Sequence, residues 1–140
     1  MAEGFARHLG EGVISAASAG LKPTPTVSED TVATMAEAGI DIRAHFPKQF
    51  DYRRADAHDV IVNMSGFDLP PTETAIVTEW DIRDPFYEDA GFFREVRNEI
   101  EQRVRDLIED IRRNGTLTGD RVASYSSKKP RLWQRLTSRR

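Results

Sequence analysis

Asp84 and Pro85, within the stretch WDIRDPFY, are the residues whose types and placement best suit chemistry. They follow an apolar run, residues 74–78, that reads as a buried strand. A carboxylate on the loop after a strand's C-terminal end lies where open α/β sheets keep their reactive groups. Placed there, a carboxyl group can protonate a leaving oxygen and later take a proton from water. The same pair also makes an ordinary turn, because an aspartate side chain readily hydrogen-bonds the backbone two residues on. A general acid needs a nucleophile beside it, and the 140 residues contain no cysteine. Disulfides, thiolate metal sites and thiol catalysis are therefore excluded for the chain as written.

The other polar candidates are weaker. Trp80 could wall the Asp84 loop, although an aromatic residue at a strand end is more often packing. His8, His45 and His58 share no metal-ligand spacing, and Asp56, Asp59 and Asp68 are dispersed, so no metal or cofactor is expected. Arg7 could line an anion site, but a solvated helix face is the simpler reading. The Arg/Glu pairs of the last long helix read as an exposed, salt-bridged surface.

These residues must be positioned by a small α/β frame. Residues 1–9 carry Met1, Phe5 and Leu9 on one helical stripe, stopped by Gly10 and Gly12. Residues 13–21, VISAASAGL, read as a strand of small residues closed by Gly20 and a Pro23/Pro25 loop. Ser28 caps a helix with acids in its first turn, Val32, Met35, Ala36 and Ile40 on its buried face, and Gly39 at its C-terminal end. Residues 41–56 read as loop or short helix, punctuated by Pro47. Residues 58–64, HDVIVNM, read as a strand covered on both faces, and residues 74–78 as the next strand. From Gly91, the residues Phe93, Val96, Ile100, Val104, Leu107 and Ile111 step by threes and fours through five helical turns. Asn114-Gly115 ends that helix. The succession of elements is that of a doubly wound, open parallel α/β sheet.

Charge divides the chain in two. The net charge is −3, yet residues 116–140 hold seven Lys/Arg against Asp120 alone, +6. The rest has thirteen bases against twenty-two acids, −9. The expected organisation is an α/β domain at 1–115 and a basic C-terminal tail at 116–140, with a weak strand at 121–125. KKPRLWQRL interleaves bases with Leu132, Trp133 and Leu136, which suits nucleic acid or a partner surface; a solvated tail is the favoured reading, and nucleic acid is not expected. There is no signal-peptide pattern and no apolar run near the roughly 20 residues that span a bilayer, so no membrane contact and a cytoplasmic location are expected.

The pieces, in order, resemble the low-molecular-weight phosphotyrosine phosphatase and arsenate reductase superfamily, over roughly residues 1–113. MAEGFARH is similar to the helix directly after that family's phosphate loop. SAASAGL with its two prolines, DTVATMAEAGIDIRAH and DVIVNMS are similar to the following strand, helix and strand. WDIRDP is similar to the loop bearing the Asp-Pro motif, and FFREVRNEIEQRVRDLI looks closer to the final helix of arsenate reductases. The resemblance implies a flavodoxin-like sheet, a small oxyanion or phosphoester as substrate, and Asp84 as the general acid. In the family a strand and a Cys-x5-Arg loop come immediately before the helix that here begins at Met1. The cysteine thiolate attacks the phosphorus or arsenic centre, while the arginine and backbone N–H groups hold the oxyanion. Ser65 and Gly66 lie near a position where some arsenate reductases keep a resolving cysteine. The chain as written is accordingly expected to be inactive. The missing strand, central in the family's sheet, is expected to come from an upstream segment, from the C-terminal tail, or from a homodimer, for instance by strand exchange. The alternative function is a non-catalytic binding or assembly module on the same frame.

Overall fold

The computed structural model describes residues 1–115, so the tail and the strand expected at 121–125 lie outside the described residues. Within them, helix α1 spans Ala2–Leu9, α2 spans Glu29–Glu37 and a 3-10 helix spans Tyr52–Ala57. Strand β1 is Val60–Asn63, β2 is Ile76–Glu79, and α3 is Ala90–Asn114. The strands pair in parallel, Val60 opposite Ile76 through Asn63 opposite Glu79.

Local chemistry explains most boundaries. Ser28 caps α2 by accepting from the Thr31 N–H at 3.2 Å, and Asp89 caps α3 by accepting from Phe92 N–H at 2.9 Å. Gly39, at φ +76°, takes the left-handed turn after α2, a conformation that penalises a side chain. Asp56 ties the approaches to both strands together: its Oδ1 accepts from the N–H groups of Thr74 at 2.7 Å and Ala75 at 3.0 Å. Those bonds, Ala75's first, hold its carboxyl at about 2.

The core is helical. Phe5, Met35, Ile40 and Ile42 meet Trp80 and the α3 stripe of Val96, Ile100, Val104 and Ile108. Gly4 lets α1 approach closely, because a Cβ there would sit 2.9 Å from Ile42 Cγ2. The stripe is slightly rotated from its expected course. Ile108 is buried, while Leu107 and Ile111 are half-exposed. On α2, Thr34 and Met35 are buried and Ala36 is exposed, since its methyl lies beyond the face that meets α3.

Two expectations about the sheet are corrected. Residues 13–19 are not a strand; only Gly20 makes an isolated bridge, to Gln49. A strand needs a hydrogen-bonding neighbour, and among the described residues none runs beside this segment. Nor is β1 covered on both faces: Val60, Ile61 and Val62 are half-exposed, and among the described residues β1 pairs with β2 alone.

The rotation of the α3 stripe is measurable. Ile108→Ala should destabilise the fold by about 2–5 kcal/mol through loss of buried methyl groups and the cavity left behind. Leu107→Ala should cost clearly less. Urea midpoints of the two variants check this, and equal losses would contradict the described packing.

Candidate functional site

Two polar constellations stand out, and they are separate. The first is at the carboxyl end of the strands. Asn63 is buried, and its side-chain amide is fully used. Its Nδ2 donates to Phe67 O at 2.7 Å and to Glu79 Oε1 at 2.9 Å. Its Oδ1 accepts from Ser65 N–H at 3.0 Å and Ser65 Oγ at 2.7 Å. Ser65 Oγ in turn accepts from Phe67 N–H at 3.2 Å, and Gly66 takes φ +75°. The result is a tight turn at residues 63–67, fixed to the end of β2.

Asp84 lies on the loop that leaves that same end of β2. It is exposed, and its Oδ1 accepts from Phe86 N–H at 3.0 Å. The Glu88 N–H closes a further turn on Pro85 O at 2.9 Å. The geometry is that of the aspartate-proline turn allowed for above. Trp80 does not wall the loop; it is buried in the core, with the Arg103 guanidinium 6.0 Å from its ring centroid.

The second constellation went unseen in the sequence. Glu3 is buried on α1 at 7% exposure. It pairs with Arg7 at 2.6 Å, accepts from Ser18 Oγ, and faces Lys48 Nζ at 3.8 Å and His45 Nδ1 at 3.9 Å. Burial pushes its carboxyl up, but the Ser18 hydrogen bond and the charges of Lys48, Arg7 and His45 outweigh that and leave it below its ordinary value. Arg7 lies on the exposed face of α1, as expected, and from there it also ties the following loop by donating to Ala16 O at 3.2 Å. A cleft of about 340 Å³ opens here, lined by Glu3, Ser18, His45, Lys48 and neighbouring residues of both loops, at the start of α1. Asp84 does not line it. The available signal for this cluster was the four-residue spacing of Glu3 and Arg7; the loop partners are set by tertiary packing alone.

His8 and His58 are exposed. Among the described residues no group of three His, Asp or Glu side chains stands close enough to hold a metal ion. No helix among them is long and apolar enough to cross a membrane.

A sequence model described as "low molecular weight phosphotyrosine protein phosphatase" matches residues 1–69 and 72–117. The chain belongs to that family. Within it, the similarity runs to arsenate reductases. The glutaredoxin arsenate reductase of Synechocystis sp. is 36% identical over 115 residues, covering 79% of this chain and 87% of that protein. A putative arsenate reductase of Halobacterium salinarum is 31% identical over 93 residues, 66% of each chain. A solved arsenate reductase in the phosphate binding state superposes with a TM-score of 0.73 at 36% identity, over 79% of this chain and 86% of that one. The fold is therefore the family's α/β architecture, and the chain is arsenate reductase-like. It departs from the family pattern in holding no cysteine among its 140 residues.

Glu3 makes the α1 end of this fold sensitive to acid. Its native carboxyl titrates below the unfolded value of about 4.3, so it contributes stability above that pH and loses it as the pH falls through the native value. Glu3→Gln should lower the urea midpoint at neutral pH and flatten the acid side of the stability profile. A wild-type-like profile in the variant would show that the cluster contributes nothing to folding.

Proposed function

We propose that this chain is an arsenate reductase-type scaffold that is catalytically silent on its own, lacking the thiolate that the family's chemistry requires. The observation that carries the reading is the pairing of 36% identity to an arsenate reductase over 87% of its length with a cysteine count of zero. The substrate class is a small tetrahedral oxyanion or phosphoester, supported by the relative solved in the phosphate binding state.

In this reading Asp84 is the general acid. Its position on the loop beyond β2, with Oδ1 steadied by the Phe86 N–H and the carboxyl open to solvent, suits a group that must reach a leaving oxygen. A thiolate would form its bond to the phosphorus or arsenic centre while the opposite oxygen departs with the proton from Asp84. Ser65 and Gly66 lie near a position where some arsenate reductases keep a resolving cysteine; the Ser65 hydroxyl is engaged with Asn63.

A second reading is favoured by the sheet. β1 hydrogen-bonds on one side only, and residues 13–19 have no strand partner among the described residues. Backbone left unpaired among the described residues invites a strand from another source, so a homodimer or a partner supplying that strand is the assembly counterpart of the silent enzyme. The expected setting is the cytoplasm.

Two measurements separate these readings. The 140-residue chain should give no turnover with arsenate plus a thiol reductant, or with an aryl phosphate. Joining a strand and a Cys-x5-Arg-Ser loop in line ahead of Met1 should produce activity, and Asp84→Asn in that longer chain should reduce it by about 10²-fold or more. Hydrolysis by the 140-residue chain itself, abolished in Asp84→Ala, would overturn the silent-scaffold reading. Light scattering tests assembly: a dimer supports strand supply between copies, and a well-folded monomer removes it.

A further inference from the structure

The edge of the sheet that carries Asp84 is acidic and aromatic well beyond what a single general acid needs. Both strands run the same way, so loops 64–70 and 80–89 leave from one edge, and Asn63 ties the first to the end of β2. Exposed on these loops are Asp68, Asp81, Asp84, Glu88 and Asp89. The single base among them, Arg83, is turned onto α3, where it pairs with Glu95 at 3.3 Å and lies 4.4 Å from the Phe92 ring centroid. Between the acids stand Phe67, Phe86 and Tyr87, exposed by 71%, 54% and 94%. Tyr87 is in the left-handed region at φ 70°, and its ring rests edge-on against Phe86 at 4.3 Å. Large rings left in water beside carboxylates mark an interaction surface.

A surface of this make-up selects an occupant of opposite build. Ammonium and guanidinium groups meet the carboxylates, guanidinium planes lie on ring faces, and apolar side chains cover the rings. It repels nucleic acid and anionic lipid. Residues 128–140, KKPRLWQRLTSRR, hold six Lys/Arg, no acid, and Leu132, Trp133 and Leu136. The length of chain permits contact. α3 leaves the Asp84 loop and runs 25 residues, about 37 Å at ~1.5 Å per residue. Retracing that distance takes about 11 extended residues at ~3.4 Å each, so the chain from about residue 127 onward can lie along the edge where α3 began. Tethering holds it there at an effective concentration in the millimolar range.

We propose that the acidic, aromatic edge formed by loops 64–70 and 80–89 docks this chain's own basic segment 128–140. The proposal stands whether or not Asp84 acts as an acid, because it rests on exposure, charge and reach.

The absence of cysteine makes the test direct: Ser138→Cys introduces the one thiol of the full chain, which takes a nitroxide label. Amide resonances of residues 66–69 and 86–88 should be lost to the label in dilute buffer and return at high salt. In the same full chain, Lys128→Glu with Lys129→Glu and Arg131→Glu should also restore them, without altering the α/β body. Loss spread evenly over the surface, no loss at all, or loss indifferent to salt would overturn the proposal. So would equal loss when labelled, isotope-free chain is mixed with unlabelled, isotope-enriched chain, since that outcome makes a second copy the donor.

Discussion

A two-stranded parallel sheet cannot bury enough surface to stand alone in water, and that constraint shapes the rest of this molecule. β1 and β2 offer four residue pairs, so the core must come from helices. α3 supplies it with a continuous stripe, and α1 and α2 are laid against that stripe by Phe5 and Met35. The close approach at Gly4 and the charged ties from Arg94 and Arg97 to Glu37 serve the same end. The strands are positioned by the helical core more than they position it, which is the reverse of the usual weighting in a doubly wound fold.

This weighting explains how the sheet persists with β1 paired to β2 alone among the described residues. Asp56 on one edge and Asn63 on the other act as polar clasps, each joining the chain near β1 to the chain near β2. Between them the backbone ladder is short but pinned at both ends. The edge where the strands end inherits that order: the turn at residues 63–67 is built from the saturated Asn63 amide rather than from sheet continuity.

Legibility in the sequence followed the range of the interactions. Helices α1, α2 and α3 were readable because caps and stripes are local: Ser28 before its acids, Gly39 after Ala38, and Phe93 through Val104 at threes and fours. Ile108 was missed because a helix 25 residues long drifts relative to any fixed stripe, and which of Leu107 and Ile108 faces inward is decided by α1. Residues 13–21 looked like a strand because propensity is local while pairing is not. Glu3 was unreadable for the same reason; three of its partners, Ser18, His45 and Lys48, come from loops 15 to 45 residues away. Asp84 was found as a turn residue from two letters, Asp-Pro, and the family motif around it supplied the rest.

The Arg112 guanidinium donates to Leu9 O at 3.0 Å across 103 residues of chain, and this has a consequence during synthesis. α1 is eight residues long, too short to hold its shape in water, and its partner α3 begins only at Ala90. At about 5–20 residues per second, α1 waits roughly 5–20 s for α3 to be made. Throughout that interval Phe5 lacks the α3 stripe that completes its core. The folding of this domain is therefore gated at its far end: nascent chains must keep an unsupported apolar segment from sticking elsewhere until α3 arrives to receive it.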